Sequence, residues 1–301
     1  MQLLYALESI RMPWLDSIMS LVTNCGGEIV FMALAIIVFW CVNKACGCFM
    51  LTVGFTGTVL NQFLKLAFRI PRPWVKDPNF TIVESARADA TGYSFPSGHT
   101  QNVFSSFGAG FAWTKKTWLK IACAVFIVLT AFSRMYLGVH TPLDVGVSFV
   151  LGLILVIALY PVFRDLEAHP KRMYWVLGCM VVLDVLFLLY AQLWPFPADV
   201  DAANLAEGRK NAWLLLGALV GFIAGYAVDQ KYVRFETQAV WWAQILKTVI
   251  GLAILIAIRA GVKMLLGGSY PVTCLRYGLM TFFAAGIWPM TFPWFARLGK
   301  K

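Results

Sequence analysis

The sequence is poor in charged residues and in histidine. Only 13% of its 301 residues are charged and three are histidine, whereas 60% are hydrophobic and the mean hydropathy is +0.72. A soluble protein carries roughly 25% charged residues. Apolar runs of about 20 residues, the length that crosses a bilayer, recur along the chain. This composition excludes an ordinary soluble enzyme and predicts an all-α polytopic membrane protein.

Other sequence features are also missing. The seven cysteines lie mostly in or beside apolar runs, and Cys46-Gly47-Cys48 is too short for the usual zinc spacing, so we interpret them as packing residues. We find no internal repeat and no glycine-rich nucleotide loop. Residues 1–23 lack a clear cleavage site, so we expect no cleavable signal. Lysine and arginine beside the spans explain most of the net charge of +10, and we expect no nucleic-acid partner.

The apolar runs predict nine spans. These are 28–42, 48–67, 97–113, 118–137, 142–163, 173–193, 211–228, 238–258 and 275–296. Residues 1–23 mix apolar and charged side chains, which predicts a segment lying in the membrane interface.

Loop charge predicts the orientation of the spans. When the candidate site residues are left out, twelve basic residues fall on one side of the membrane and eight on the other. The twelve are Lys44, Lys115, Lys116, Lys120, Arg164, Lys171, Arg172, Lys231, Arg234, Arg297, Lys300 and Lys301. The eight are Arg11, Lys76, Arg87, Arg209, Lys210, Arg259, Lys263 and Arg276. Because positive residues concentrate in cytoplasmic loops, the first side is predicted to be cytoplasmic. The longer loops 69–95 and 194–210 then lie outside.

One stretch between two apolar runs, Ser133–Asp144, combines an arginine, a histidine and a carboxylate. Thr141 followed by Pro142 is typical of a helix start, and Asp144 stands where a capping box places its acid. This predicts His140 just outside a helix, with a carboxylate that can hold one imidazole nitrogen and leave the other facing outward. A capped helix with a surface histidine is the alternative.

Two more clusters fall on the same predicted outer face. Lys65 and Arg72 lie where the second span leaves the membrane, with Arg69 one helical turn after Lys65 and Pro71 expected to end the helix. Taken alone, they also fit a span anchor.

The other cluster, Tyr93–Thr100, opens the third span. Ser97 and Gly98 there predict a helix N-terminus that exposes backbone N–H groups to an anion, with His99 at the rim as a proton donor. An ordinary helix start is the alternative. The third histidine, His169, lies on the basic inner loop and is interpreted as solvated.

Together the clusters predict a phosphoryl site. The cations and the helix start form an oxyanion cradle, completed by Arg134, while two histidines offer a nucleophile and an acid. We find no carboxylate pair or histidine cluster with ligand spacing nearby, and we expect no metal and no cofactor.

The spacing Lys65-x6-Arg72-Pro73, then Pro96-Ser97-Gly98-His99, then Ser133-Arg134-x5-His140-x3-Asp144 resembles the three signature motifs of the type-2 phosphatidic acid phosphatase family. That family is similar in its site to vanadium haloperoxidases and glucose-6-phosphatase. The resemblance implies a six-helix phosphatase core over residues 28–193, after an N-terminal segment 1–27. About three additional C-terminal transmembrane helices follow in 194–301.

The resemblance also implies roles for the residues that match the motifs. His140 would attack phosphorus and form a phosphohistidine, Asp144 would orient His140, and His99 would protonate the leaving oxygen and then activate water. The phosphate would be held without metal by Lys65, Arg72, Ser97, Gly98 and Arg134.

The expected function is a metal-independent lipid phosphatase that acts on the outer face of a bacterial plasma membrane. Its substrate would be phosphatidate, phosphatidylglycerol phosphate, a polyprenyl diphosphate or a sphingoid phosphate. A lipid phosphotransferase, and a lipid-phosphate binding or transport protein, are the alternatives. Intact His99, His140 and Asp144 favour catalysis over binding alone.

The orientation can be tested with single cysteines in a cysteine-free background, probed in intact cells with an impermeant thiol reagent. We expect labelling at Asp89→Cys and none at Thr114→Cys or Ala168→Cys. The reverse pattern would place the candidate site in the cytoplasm.

Overall fold

A computed structural model describes residues 1–299, which form helices and loops without a β-strand. Lys300 and Lys301, counted above as cytoplasmic charges, lie outside the described residues. The α-helices are α1 Gln2–Ser9, α2 Pro13–Asn24, α3 Glu28–Ile37, α4 Lys44–Phe68, α5 Pro73–Lys76, α6 Gly98–Val103, α7 Ala109–Trp113, α8 Thr117–Tyr136, α9 Pro142–Arg164, α10 Arg172–Leu193, α11 Ala202–Val228, α12 Trp241–Leu266, α13 Tyr270–Phe282 and α14 Phe292–Arg297. Short π-helical segments cover Val38–Val42, Phe104–Gly108, Asp229–Val233 and Phe283–Ile287, and 3₁₀ turns cover Glu84–Ala86 and Trp288–Thr291.

Seven of these helices are long and apolar enough to cross a membrane. An eighth span results if Pro13–Asn24 and Glu28–Val42, which meet at a bend of 46°, cross as one. The nine spans predicted from the sequence include one more helix, Gly98–Trp113, which α6, a π-helical segment and α7 form together. At 1.5 Å per residue that helix is only about 24 Å long, shorter than the hydrocarbon core of about 30 Å.

Contacts divide the chain into two compact units. The first contains Met1–Leu34, Phe49–Arg164 and Pro195–Gly208. The second contains Ala35–Cys48, Asp165–Trp194 and the described residues from Arg209 onward. All eight candidate site residues belong to the first unit. The sequence-based division at residues 27 and 193 stays a prediction.

Buried polar groups tie the second unit together internally. Lys44 forms an ion pair with the fully buried Asp229. The ammonium of Lys247, itself buried, donates to the Trp40 carbonyl at 2.9 Å and lies 4.2 Å from the centre of the Phe292 ring. These contacts join the segment before α4 to the C-terminal helices of the same unit.

In the first unit, the segment that follows α6 packs closely against α9. The ring of Phe104 lies over Gly152, where a Cβ atom would stand 2.5 Å from the Phe104 Cγ. The same ring makes an edge contact with Phe149, with 4.8 Å between ring centres. The missing side chain at Gly152 therefore allows the helix that carries His99 to approach the helix that follows His140.

We expect Gly152→Ala to destabilise the protein, because its methyl group would collide with Phe104. Overpacking of this kind costs about 1–3 kcal/mol. Gly146→Ala is the matched control, since it lies on the same helix and a Cβ there meets nothing within 4 Å. Both variants gain the same helix propensity. The difference between their melting temperatures in detergent therefore measures the effect of the collision with Phe104. Equal melting temperatures for the two variants would contradict this packing.

Candidate active site

The starts of α6 and α9 are bonded to each other. Ser97 caps α6, a role that was not predicted from the sequence: its Oγ accepts from the Thr100 amide at 3.4 Å and from the Thr100 hydroxyl at 3.1 Å. The Ser97 amide donates to the Asp144 carbonyl at 3.1 Å, and the Ser148 hydroxyl donates to the Ser97 carbonyl at 2.8 Å. The signature motif of α6 is therefore fixed to the first turns of α9.

Gly98 and His99 follow this cap. A Cβ atom on Gly98 would meet nothing within 4 Å, so open space lies in front of the helix start. His99 is half-buried, consistent with the predicted place at the rim of the site. This helix start leaves room for a group the size of a phosphate to approach the backbone.

The capping box predicted for α9 is confirmed. The Thr141 amide donates to the Asp144 carboxylate at 2.7 Å, and the Asp144 amide donates to the Thr141 hydroxyl at 3.3 Å. The Ser94 hydroxyl donates to the same carboxylate oxygen at 2.6 Å. That oxygen lies 3.6 Å from Nδ1 of His140, adjacent to the ring but beyond hydrogen-bond distance. The predicted contact between the acid and the imidazole is thus looser than expected.

Arg72 lies against the other nitrogen of the imidazole. Its guanidinium donates to the carbonyls of Gly92 (3.1 Å), Val139 (3.0 Å) and Thr91 (2.6 Å), and one nitrogen is 3.0 Å from Nε2 of His140. Because arginine can only donate, Nε2 is the acceptor in this contact. We therefore assign the ring proton of neutral His140 to Nδ1, the side that faces Asp144.

Lys65 lies on the last turns of α4. Its side chain is only 6% exposed and donates to the Tyr93 carbonyl. The helix ends earlier than predicted, at Phe68 rather than at Pro71, because Arg69 takes a left-handed conformation with φ of 51°. Arg72 is in the extended conformation expected before a proline.

Arg134 is fully buried on the last turn of α8. One guanidinium nitrogen donates to the Thr23 hydroxyl at 2.8 Å, while Nε and the second terminal nitrogen have no hydrogen-bond partner. Its backbone carbonyl accepts from the amides of Val139 and His140 at 3.1 and 3.3 Å. The residue therefore anchors the loop that carries His140 and presents two nitrogens whose N–H groups are unpaired.

The electrostatic environment keeps His140 neutral. This histidine lies in the loop between α8 and α9 and is 1% exposed. Burial, together with the positive charges of Arg72 and Arg134, lowers the pKa of His140 well below its ordinary value. Lys65 and His99 act in the same direction, so the five side chains share one electrostatic environment. A neutral imidazole has the free lone pair that a nucleophile needs.

Sequence reasoning missed several residues that hold these groups. Ser94 lies in the stretch quoted above but had no role assigned, and Ser148 lies one helical turn after Asp144. Thr23 gave no signal, because its contact with Arg134 joins residues far apart in the chain. The metal-free expectation stays a prediction. Within residues 1–299, no three His, Cys, Asp or Glu side chains are grouped to hold a metal ion.

Two family models match the chain. The PAP2 superfamily model covers residues 45–168, and the model described as PAP2 superfamily phosphatase, transmembrane extension, covers residues 213–301. The chain belongs to the PAP2 superfamily. It is an integral membrane protein and a phosphoric ester hydrolase. The transmembrane extension confirms the additional C-terminal helices expected from the sequence.

Named relatives in this superfamily act on different lipid phosphates. Phosphatidylglycerophosphatase B of Bacillus subtilis (strain 168) is 31% identical over 161 residues, which cover 48% of this chain and 74% of that protein. Undecaprenyl-diphosphatase BcrC of the same strain is 36% identical over 146 residues, or 47% and 71%. Dihydrosphingosine 1-phosphate phosphatase C823.11 of Schizosaccharomyces pombe is 28% identical over 172 residues, or 52% and 40%. No solved structure matches the chain.

Proposed function

We propose that the protein hydrolyses a lipid phosphate monoester or diphosphate through a phosphohistidine on His140, without a metal ion. The observation that carries this proposal is the environment of that imidazole. Nε2 faces a guanidinium at 3.0 Å, Nδ1 faces a carboxylate at 3.6 Å, and burial among cations keeps the ring neutral. A binding protein would need the cations but not a histidine aligned between a donor and an acid.

The cations bind the phosphate in this mechanism. Arg72 contacts His140, and Lys65 and Arg134 act on it electrostatically. The open space at Gly98 lets equatorial oxygens approach the α6 start. The unpaired N–H groups of Arg134 and the Ser97 hydroxyl complete the set. When phosphate binds, the Arg72 guanidinium donates to a phosphate oxygen instead of to Nε2 of His140. The lone pair of Nε2 is then free to attack.

The reaction then takes two displacements. Nε2 of His140 attacks phosphorus as the bond from phosphorus to the lipid oxygen breaks. His99, protonated once the negative charge of the phosphate offsets the neighbouring cations, gives its proton to that oxygen. Asp144 stabilises the positive charge on the phosphorylated ring through the Nδ1 proton. His99 next takes a proton from water, whose oxygen attacks phosphorus and releases phosphate from His140.

The substrate is proposed to be a lipid of the outer leaflet, because the charge distribution of the loops favours an outer site. The relatives named above dephosphorylate a glycerophospholipid, a polyprenyl diphosphate and a sphingoid phosphate. The two Bacillus relatives support a bacterial plasma membrane and, among the four candidate substrates, phosphatidylglycerol phosphate or a polyprenyl diphosphate.

A substrate panel tests the proposal directly. We expect the purified protein to release phosphate from at least one of these four lipid classes, and to do so in excess chelator. His140→Ala should abolish turnover and labelling by a slow substrate, because the nucleophile is gone, while the variant still extracts as a folded species. Undiminished hydrolysis by His140→Ala would reject the nucleophile. Loss of activity in chelator that Mg²⁺ restores would reject the metal-free mechanism.

Leaving-group dependence tests His99. His99→Ala should lose most of its activity on alkyl phosphates, whose leaving oxygen needs a proton, and keep more on aryl phosphates, which need little protonation. The ratio of the two kcat/KM values, compared with that of the wild type, is the measurement. Equal losses on both substrate types would show that His99 is not the leaving-group acid.

A further inference from the structure

The C-terminal end of α2 lies directly against the candidate active site, although the PAP2 superfamily model begins only at residue 45. Thr23, on the last turn of this helix, is 4% exposed and accepts the one side-chain hydrogen bond formed by Arg134 among the described residues. The other two guanidinium nitrogens are buried without a partner. Thr23 therefore fixes one N–H group of the fork and leaves the remaining N–H groups for an anion.

Gly26 supplies a second, independent contact. A Cβ atom there would stand 2.7 Å from the His99 carbonyl oxygen and 2.7 Å from the Thr130 methyl group. Thr130 lies one helical turn before Arg134 on α8. The turn after α2 thus packs between the backbone of His99 and the helix of Arg134, and only a residue without a side chain allows this approach.

Further hydrogen bonds hold the N-terminal helices against α8. The Tyr136 hydroxyl donates to Asp16 at 2.7 Å, and Arg11 Nε donates to the Tyr136 carbonyl at 3.0 Å. Arg11 also donates to the Thr81 carbonyl at 2.9 Å, in the loop that follows Arg72. These bonds leave α2 little freedom relative to the loop and the helix that carry two of the cations.

We propose that Thr23 is a positioning residue for Arg134 and that the end of α2, Thr23–Gly26, forms a wall of the phosphate site. This inference rests on the proposed function. Thr23 does not touch the reacting atoms; it directs the guanidinium toward the phosphate. Residues that precede the region matched by the PAP2 superfamily model therefore complete the site, beyond any role as an interfacial segment.

Thr23→Val removes the acceptor and keeps nearly the same volume. Loss of a hydrogen bond from a charged buried donor is expected to lower kcat/KM on the best lipid phosphate about tenfold. The inhibition constant of inorganic phosphate, used as a competitive inhibitor, should rise by a similar factor, because phosphate binds the same guanidinium. Thr23→Ser keeps the hydroxyl and should stay within about threefold of the wild type. Thr52→Val is the control, a buried threonine on α4 that lies 13 residues, or about 20 Å of helix, before Lys65.

A double-mutant cycle separates positioning from general stability. If Thr23 acts through Arg134, Thr23→Val should have little further effect on phosphate inhibition in an Arg134→Lys background. A merely structural role would produce the same loss in both backgrounds. Thr23→Ala provides a smaller substitution in case the valine variant does not extract as a folded protein.

Several outcomes would overturn the inference. The inference is wrong if Thr23→Val or Thr23→Ala folds and phosphate inhibits the variant as strongly as it inhibits the wild type. It is also wrong if the effects of the Thr23 and Arg134 substitutions on phosphate inhibition are additive. Failure of both variants to fold, with Thr23→Ser folded, would assign Thr23 a structural role instead. Each of these leaves the proposed function intact as long as the wild type releases phosphate from a lipid. A wild type that neither hydrolyses lipid phosphates nor binds phosphate would instead reject the proposed function.

Discussion

Three buried cations held by uncharged acceptors are the constraint on which the first unit depends. Lys65, Arg72 and Arg134 are 6%, 6% and 0% exposed, and their hydrogen bonds run to backbone carbonyls, one hydroxyl and the neutral imidazole of His140. Such partners satisfy donors but do not cancel charge, and desolvating an ion costs several kcal/mol. The site is therefore more stable with an anion between the cations than without one. A phosphoryl group, with charge spread over three oxygens, meets this requirement.

The backbone keeps these charges in place. The loop that follows α4 supplies the carbonyls of Thr91, Gly92 and Tyr93 to Arg72 and Lys65. The amide of Ser97 then donates to the carbonyl of Asp144, which connects this loop to α9, the helix that follows His140. Each cation is fixed by a segment distant in sequence, so the site exists only when the helices of the first unit have assembled. This arrangement preorganises the donors before a substrate arrives.

Local features of the site could be predicted from the sequence, and contacts between distant segments could not. The helix start at Ser97-Gly98 and the Thr141 capping box depend on residues close together in the sequence, and both are present as expected. The early end of α4 depends on a left-handed Arg69, which side-chain type alone does not indicate. The contact between Arg72 and Nε2 joins residues 68 positions apart, and that between Thr23 and Arg134 joins residues 111 apart. No spacing rule reports such pairs.

In the proposed mechanism, the position of Arg72 links substrate binding to activation of His140. While its guanidinium donates to Nε2, the lone pair of His140 is occupied and cannot attack phosphorus. A phosphate oxygen is a stronger acceptor than a neutral imidazole, because the hydrogen bond is then assisted by charge on both partners. We therefore expect an arriving phosphate oxygen to take over the hydrogen bond that Arg72 donates to Nε2, while the guanidinium keeps its bonds to the carbonyls of Gly92, Val139 and Thr91. In this proposal the same arginine occupies the lone pair of His140 before binding and stabilises the phosphoryl group afterwards.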